Sequence, residues 1–461
     1  MENYREHLVD ALNRKYRGKF RPFKKSRASE DAETGTYVEE SETEPFEDLG
    51  RETIRKGQAA IVILAGGLST RIGSCEPKSI LPVTAVKSKS LLQLHLEKLR
   101  KLFTLVEAEK HPSIFILTCS FNYSQIETFL KRNSHFGLDP KRVILLVQSN
   151  LPCFIGDDLE YSRYPSSELN TPKAEVIDFS KNEDFDNFYT RGFRLDLKYE
   201  GIVTSPNGNG NVFETLHKNE EFSKILPTIK CLHVIGVDNC LSKPLDPAFV
   251  GMMAHTQGLD MLNKCVLRSH GENLGVFCVG DFPRIIEYSE LDRLTENGLK
   301  DYVFYGNICD HMFSGDFMSR VMSEQLYKSM PLHAAKKRIP IWSYENGRFV
   351  FPAECNGYKL ELFVFDVMEF TSKVMVSSAR IHLCVAVERD YNFAPLKTSW
   401  DCDMSNENAI QYKMDRVFKA WLGRVDCRVD GICEISPTLS YSGENLEEYR
   451  GRLLKGQVYL E

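Results

Sequence analysis

Residues 59–79 read AAIVILAGGLSTRIGSCEPKS, and this stretch decides the fold prediction. Its first seven residues are all apolar and include β-branched side chains, which is typical of a parallel strand buried on both faces. The glycine-rich loop that follows carries two cations, Arg71 and Lys78. In open α/β sheets, ligands bind beyond the carboxyl ends of the strands. The stretch therefore predicts an α/β sheet with a ligand site at this loop.

The segments after the loop alternate between helical and strand patterns. Residues 88–103 have apolar side chains at helical spacing, 113–119 resemble a strand, 122–133 a helix and 142–148 a strand. This alternation is typical of a doubly wound sheet with helices on both faces. Further strand candidates lie at 230–237, 263–269, 274–279 and 284–290.

The two ends of the chain differ from this central region. Residues 1–13 could form a short amphipathic helix, and two charge blocks follow it. Residues 14–27 contain eight Lys or Arg and no acid, whereas 30–48 contain nine Asp or Glu and no base. Such blocks are typical of solvated, mobile segments, so we expect a tether. Residues 381–389 and 428–435 look like strands of a smaller terminal unit. The predicted domains are an N-terminal helix and tether (1–57), a main domain (58–398) and a small C-terminal domain (399–461).

Composition excludes several classes of protein. The net charge of −6 over 461 residues argues against general nucleic-acid binding, which needs a basic face. The thirteen cysteines form no CxxC pair and no zinc-like cluster, so we expect buried free thiols in a reducing compartment. The N-terminus lacks the apolar core of a signal peptide, and no stretch of 18 apolar residues exists. We therefore expect a cytoplasmic protein without a membrane partner.

The loop itself suggests nucleotide binding. Gly66 and Gly67 lack a Cβ, so backbone amides there can approach a base or a phosphate. Arg71 and Lys78 could neutralise charge that develops during phosphoryl transfer. The loop matches neither GxxxxGK[ST] nor GxGxxG. An ordinary strand-to-helix turn with exposed cations remains the alternative.

The motifs LAGGLSTRIG (64–73) and PKS (77–79) resemble the signature of sugar nucleotidyltransferases, and the chain is most similar to the eukaryotic-type UDP-N-acetylglucosamine pyrophosphorylases. Further motifs resemble that family in its own order: VILLVQSNLPCF, SPNGNGNVFETL, HVIGVDN, LGVFCV, IIEYSEL, YGNICDHMF, NGYKLELFVFDV, FAPLKT and CEISPTLSYSGENLE. The resemblance covers 57–448. It implies a doubly wound mixed sheet of the Rossmann-like, GT-A-like nucleotidyltransferase type with small N- and C-terminal domains, in which 58–398 is catalytic.

The resemblance also implies the reaction and its catalytic residues. In this family a uridylyl group passes from UTP to N-acetylglucosamine 1-phosphate, and pyrophosphate leaves. The matching positions imply Arg71, Lys78 and Lys397 as catalytic cations. Asp238, at the end of a predicted strand, would bind Mg²⁺ or Mn²⁺ between phosphates. The partners would be these substrates, with no nucleic acid or membrane, and the protein a monomer or weak homodimer.

The substrate-binding residues follow from the same motifs. They are Gly66, Gly67, Gln148, Gly208, Asn209, Gly275, Glu287, Asn307, Lys359 and Phe365. Gln148 can pair with a uracil edge because its amide both donates and accepts hydrogen bonds. Glu287 would accept from a sugar hydroxyl. Phe365 would form a wall beside the N-acetyl group, although a buried core position is an alternative.

Several residues depart from the family pattern, and two other functions stay open. The departures are Ser69, Glu76, Ser79, Val147, Asn207 and Asn211. One alternative is a UDP-glucose or broad UDP-sugar pyrophosphorylase, which shares the fold and the loop. The other is a catalytically weak paralogue that binds UDP-sugars in a regulatory role. Retention of the catalytic cations and of Asp238 favours an active enzyme.

Overall fold

The structure is a computed structural model that describes most of the chain. The described residues are 4–13, 21–24, 36–67, 76–156, 159–162, 193–196, 202–269, 271–279, 283–287, 302–345, 348–371, 382–397 and 409–461. None of the helices within these ranges is long and apolar enough to cross a membrane. Ten cysteines in these ranges are free thiols, and eight of them are buried, as predicted.

The elements of the described residues follow in chain order. The strands are β1 Arg21–Lys24, β2 Thr36–Glu39, β3 Ala59–Leu64, β4 Ile114–Thr118, β5 Val143–Val147, β6 Asn150–Ile155, β7 Glu160–Tyr161, β8 Arg194–Asp196, β9 Ile202–Pro206, β10 Cys231–Gly236, β11 Met261–Leu267, β12 Val276–Val279, β13 Arg284–Ile286, β14 Tyr302–Val303, β15 Tyr305–Ser314, β16 His333–Lys337, β17 Ile341–Ser343, β18 Arg348–Val350, β19 Gly357–Glu361, β20 His382–Ala386, β21 Arg428–Ile435 and β22 Leu453–Leu460. The α-helices are Tyr4–Asn13, Glu47–Arg55, Leu91–Leu105, Tyr123–Arg132, Val212–His217, Glu220–Ile225, Pro247–His255, Gly315–Ser323, Arg389–Asn392 and Ile410–Gly423.

A mixed sheet of twelve described strands forms the centre of the molecule. Its main path runs β14, β1, β12, β15, β10, β3, β4 and β5. Strands β10, β3, β4 and β5 are parallel, whereas β15 is antiparallel to β10. Alternate residues of β3 belong to two hydrophobic clusters, one on each face of the sheet. This two-sided burial is the reason the sequence of β3 is apolar throughout, and it confirms the predicted α/β fold.

A second sheet lies beside the first and is antiparallel. Its order is β16, β19, β6, β9 and β8, with β7 paired to β6. The N-terminal helix Tyr4–Asn13 packs on this sheet through Leu8, whose side chain is fully buried with Phe154 and Leu360. The helix matches the prediction for residues 1–13. It contacts the body of the protein rather than standing apart from it.

The predicted N-terminal tether differs from the structure. Strand β1 pairs with β12 and β14, and β2 pairs with β20, so both extend the main sheet. The helix Glu47–Arg55 packs against the helix Pro247–His255. Strand pairing uses backbone groups, which charged side chains leave available, so the charged composition of these residues does not prevent pairing. The rest of the two charge blocks, 14–20, 25–27 and 30–35, lies outside the described residues.

The C-terminal region agrees with its prediction only in part. Strands β21 and β22 pair in parallel as a separate two-stranded sheet, and the helix Ile410–Gly423 packs on β21. By contrast, β20 lies in the main sheet, parallel to β11, so residues 381–389 do not belong to a terminal unit. Leu422 and Ile435 share the large cluster on one face of the main sheet. The domain boundaries at 57 and 398 stay predictions.

Candidate active site

One edge of the main sheet gathers most of the predicted site residues. Strands β10, β3, β4 and β5 are neighbours and parallel, so their carboxyl ends lie together. Asp238 follows β10, Gly66 follows β3 and Gln148 follows β5. The last residues of these strands are in register, with Gly236 opposite Leu64. The edge therefore has the geometry expected for a ligand site in an open α/β sheet.

Gly66, Gln148 and Gly208 form a compact group, here named the base pocket. The Gly208 backbone N–H donates to Gln148 Oε1 at 2.9 Å. A Cβ on Gly66 would lie 2.1 Å from Gln148 Nε2, so only glycine lets this amide occupy its position. The Gln148 side chain is buried, with 6% of the residue exposed. The three residues that the sequence assigned to base and phosphate recognition are thus in contact.

The loop around Gly208 is fixed by the segment 362–364. Gly208 has φ +97°, and a Cβ there would lie 2.5 Å from the carbonyl oxygen of Leu362. Asn209 Oδ1 accepts the Val364 N–H at 2.9 Å. The side-chain oxygen of Asn209 therefore has a structural partner here, and its predicted contact with the sugar or ribose stays a prediction.

Ser149 connects two departures from the family pattern next to the base pocket. Asn211 Oδ1 accepts the Ser149 N–H at 2.8 Å, and Asn211 Nδ2 donates to Glu214 at 2.7 Å. Asn207 Nδ2 donates to Ser149 Oγ at 3.0 Å. Both asparagines are buried. The sequence identified both only as departures from the family pattern, and it did not predict this network.

Lys78 and Asp238 meet at the end of β10. Lys78 Nζ lies 3.6 Å from Asp238 Oδ2, and the side chains are 17% and 29% exposed. Lys78 begins a short 3₁₀ turn, Lys78–Ile80, whose Ser79 is fully buried. The pair is reachable from solvent and holds one cation against one carboxylate. Two of the predicted catalytic and metal-binding residues therefore adjoin.

Lys397 belongs to the same group. Residues 392–397, here named the Lys397 segment, are hydrogen-bonded to the loop after β10. The Leu396 N–H donates to the carbonyl oxygen of Asp238 at 2.9 Å, and Asn239 pairs with Pro395. Burial lowers the pKa of Lys397, and the nearby charge of Lys78 lowers it further, whereas the carboxylates of Asp238, Glu272 and Glu287 raise it. Lys78, Asp238 and Lys397 are here named the charged cluster.

Gly275, Glu287 and Asn307 form a third group, here named the sugar pocket. A Cβ on Gly275 would lie 3.0 Å from Glu287 Oε1, and the Gly275 carbonyl accepts the Asn307 N–H at 2.8 Å. Asn307 Oδ1 accepts the Cys309 N–H at 2.8 Å. Lys397 Nζ donates to the carbonyl oxygen of Asn273, two residues before Gly275, at 3.4 Å, so this pocket adjoins the charged cluster.

Other predicted residues lie elsewhere. Lys359 is in β19 of the second sheet and forms an ion pair with Glu361. No contact among the described residues joins it to the charged cluster.

Phe365 is 4% exposed and belongs to a core cluster, and its ring stacks on Phe363 with the ring centroids 5.1 Å apart. This favours the alternative that Phe365 is a core residue. Gly67 is exposed at the end of β3. Arg71, together with Ser69, lies outside the described residues.

Asn239 is a residue of the site that sequence reasoning missed. Its Nδ2 donates to the Asn392 carbonyl at 2.7 Å, and its Oδ1 accepts the Ala394 N–H at 2.9 Å. These bonds attach the Lys397 segment to the loop that carries Asp238. Its place beside Asp238 in the motif HVIGVDN was the available signal, because an asparagine amide can bind two strands of backbone at once.

The residues at Asp238 fit a divalent metal ion that binds together with substrate. The described residues contain no group of three or more His, Cys, Asp or Glu side chains arranged around a metal site. Mg²⁺ is usually held by one or two carboxylates together with substrate phosphates and water. Asp238 offers an oxygen ligand that is partly exposed and lies beside cations that would bind the same phosphates.

Comparison with known proteins agrees with this geometry. Residues 15–174 match the sequence model of a family described as UTP–glucose-1-phosphate uridylyltransferase. A probable UDP-N-acetylglucosamine pyrophosphorylase of Dictyostelium discoideum is 31% identical over 445 residues, which cover 91% of this chain and 82% of that protein. The UDP-N-acetylglucosamine pyrophosphorylase of Saccharomyces cerevisiae is 31% identical over 417 residues, which cover 88% and 78%.

A solved structure shows the same fold. The uridine diphosphate N-acetylglucosamine pyrophosphorylase from Trypanosoma brucei, in complex with an inhibitor, has a TM-score of 0.72 and 21% sequence identity. The match covers 96% of this chain and 85% of that one. Because relatives at 31% identity span most of the sequence, the chain belongs to the UDP-N-acetylglucosamine pyrophosphorylase family.

Proposed function

We propose that the chain transfers a uridylyl group from UTP to N-acetylglucosamine 1-phosphate and releases pyrophosphate. One observation carries this proposal, the order of three groups of residues at one end of the main sheet. The base pocket lies after β3 and β5, with Gly208 supplied from the second sheet, and the charged cluster lies at the end of β10. The sugar pocket lies beside it, with Gly275 before β12, Glu287 after β13 and Asn307 in β15. A nucleotide and a sugar phosphate could bind there with their phosphates meeting at the charged cluster. The names of the relatives support the same reaction.

The base pocket suits a pyrimidine. Gln148 presents an amide beside the backbone of Gly66 and Gly208, so donors and acceptors can match the edge of uracil. The Ser149 network holds the backbone next to Gln148 in place. UTP should therefore be preferred to CTP, whose ring edge has the opposite hydrogen-bond pattern.

The charged cluster suits the transfer step. An oxygen of the sugar phosphate forms a bond to the α-phosphorus of UTP, and the bond from that phosphorus to the bridging oxygen breaks. Pyrophosphate leaves with the electron pair. The protein must align two anions that repel each other and stabilise the charge on the transferred group. Lys78 and Lys397 lie where they could bind the phosphates of both substrates.

We propose that Mg²⁺ or Mn²⁺ takes part and that Asp238 is its protein ligand. When bound, such an ion polarises phosphate oxygens and screens their negative charge. The Leu396 N–H donates to the carbonyl oxygen of Asp238. This bond fixes the backbone of the loop that orients the Asp238 carboxylate. We place the reaction in the cytoplasm, because free cysteines throughout the described residues are typical of a reducing compartment.

The sugar pocket would distinguish the acceptor. Gly275 leaves space beside the Glu287 carboxylate. The Asn307 side-chain amide is held in this pocket by the Cys309 N–H, which donates to its oxygen. Glu287 could accept from a ring hydroxyl and fix the orientation of the sugar. An N-acetyl group would use the polar atoms of this pocket, whereas glucose would leave some of them unpaired.

The test is pyrophosphate release from UTP with different sugar 1-phosphates under the same conditions. N-acetylglucosamine 1-phosphate should be used with a kcat/KM roughly 10²-fold above that of glucose 1-phosphate. Preference for glucose 1-phosphate would instead assign the chain a UDP-glucose or broad UDP-sugar activity. Binding of UTP without pyrophosphate release from any acceptor would support the regulatory paralogue and overturn the proposal.

A further inference from the structure

The helix Leu91–Leu105 carries a buried lysine that the proposed reaction does not use. Lys98 is 8% exposed and donates to the carbonyl oxygens of Cys240 at 2.8 Å and Ser242 at 2.9 Å. No carboxylate among the described residues forms an ion pair with it. Burial lowers the pKa of Lys98 to about 8. A buried ammonium without a counter-ion destabilises a fold, so its presence needs a reason.

His95 supports the same loop from one turn earlier. It is fully buried, and its Nε2 lies 3.0 Å from the carbonyl oxygen of Val237. Burial lowers the pKa of His95 to about 3, so the ring is neutral and Nε2–H donates. Residues three apart lie on one face of a helix. This face therefore binds three carbonyl groups of the stretch 237–242, which contains Asp238.

The other side of the stretch is bound by the Lys397 segment. Asn239 binds Asn392 and Ala394 through its amide, and the Leu396 N–H binds the Asp238 carbonyl. Asp238 is therefore held between a helix face and a second loop. From the helix side, Lys98 binds the stretch beyond Asn239 with two hydrogen bonds.

A second buried lysine beside the same helix offers a contrast. Lys89, one residue before the N-cap Ser90, is 7% exposed and pairs with Glu97 at 2.6 Å. It also donates to Ser436 at 3.1 Å and so joins the helix to the C-terminal region. Lys89 has a counter-ion and does not contact residues 237–242 in any described interaction. The ion pair and the hydrogen bond explain its burial.

We propose that Lys98 is a positioning residue that holds the loop of Asp238 in the geometry needed to bind a divalent metal ion. The proposal rests on the proposed function through the role of Asp238. An ammonium can donate to two converging carbonyl groups, whereas an apolar side chain of similar length leaves both without a donor. Replacing a residue that orients a metal ligand commonly changes the affinity for the metal ion.

The experiment compares Lys98→Met with the matched control Lys89→Met. Mn²⁺ binding to the UTP-bound protein is measured by the EPR signal of free Mn²⁺, and amide hydrogen exchange is measured by mass spectrometry. Lys98→Met should raise the Kd for Mn²⁺ about tenfold and speed exchange of the amides in 238–243. Lys89→Met should change neither quantity, although it removes a buried ion pair and lowers the melting temperature.

Two outcomes would overturn the proposal. One is an unchanged Kd and unchanged exchange at 238–243 in Lys98→Met. The other is an equal effect in Lys89→Met, which would indicate general loosening. If Lys98→Met does not fold, Lys98→Gln is measured in the same way. The glutamine side chain is shorter and uncharged and cannot reach both carbonyl oxygens as Lys98 does, so both quantities should still change in the same direction, and wild-type values would count against the proposal. Hydrogen exchange does not depend on turnover, so failure of the proposed reaction would be seen separately in the pyrophosphate assay.

Discussion

Replacing Gly66 by alanine should impair UTP binding without preventing folding. The added Cβ would lie 2.1 Å from Gln148 Nε2, about 1.3 Å inside an ordinary contact of 3.4 Å. Only the end of the Gln148 side chain has to move, because the next neighbour, Gln148 Cδ, lies 3.4 Å away. The clash should therefore displace Gln148 rather than the backbone.

The magnitude follows from what Gln148 loses. Its Oε1 would no longer accept the Gly208 N–H, which costs about 1 kcal/mol of stability. The base of UTP would then bind beside a displaced Gln148 amide. Each buried polar group left unpaired costs about 1–3 kcal/mol of binding free energy. A net loss of about 2 kcal/mol corresponds to a Kd for UTP roughly 30-fold higher.

The assay is calorimetric titration of UTP into four proteins: wild type, Gly66→Ala, Gln148→Ala and the double variant. If displacement of Gln148 is the cause, Gly66→Ala should add little in the Gln148→Ala background. Gly423→Ala is the control for the chemical change, since a Cβ there meets no atom within 4 Å. Wild-type affinity in Gly66→Ala, or full additivity in the double variant, would refute the reasoning.

Three further predictions concern other parts of the site. Asp238→Asn should lower kcat about 10²-fold, and EDTA should abolish pyrophosphate release until Mg²⁺ is restored; unchanged kcat would exclude Asp238 as the ligand. Asn211→Ala leaves the Ser149 N–H without its acceptor, so denaturant unfolding should show a loss of about 1–3 kcal/mol and calorimetry should show weaker UTP binding. Burial lowers the pKa of Lys98 from its usual 10.5 to about 8 in the folded protein, so the unfolded chain holds more protons between these pH values. Stability of wild type relative to Lys98→Met should rise between pH 8 and 10.5, by up to about 3 kcal/mol, and equal pH profiles in denaturant titrations would contradict the lowered pKa.

The central strands could be predicted because their sequences have one explanation. Residues 59–64 are apolar throughout, and 114–118 and 231–236 are apolar except for Thr118 and His233; a parallel strand covered by helices on both faces needs such a composition. The helix Leu91–Leu105 was equally clear from its apolar spacing. The edge that carries the site followed from the order of these elements. Its residues could then be named only through the family motifs.

Elements with weak sequence signals were missed for physical reasons. The charged composition around β1 and β2 indicates solvation, but these strands pair through backbone groups with partners more than 200 residues away. Strand β20 lies between β11 and β2 in the main sheet, and both of these partners are far from it along the chain. The burial of Lys98 has no signal in the sequence, because nothing local shows that the loop after Asp238 covers it.

Asn207 and Asn211 are better understood as a pair than as two separate departures from the family pattern. A glycine at 211 would leave the Ser149 N–H without its acceptor and would remove one of the two donors to the Glu214 carboxylate, the other being Lys218. An aspartate at 207 could not donate to Ser149 Oγ, although the hydroxyl could then donate to it. Both asparagines thus act on the residue that follows Gln148, and through the loop at Gly208 on the amide that would bind uracil. The substitutions change how the base pocket is supported and leave its two principal residues, Gln148 and Gly208, in contact.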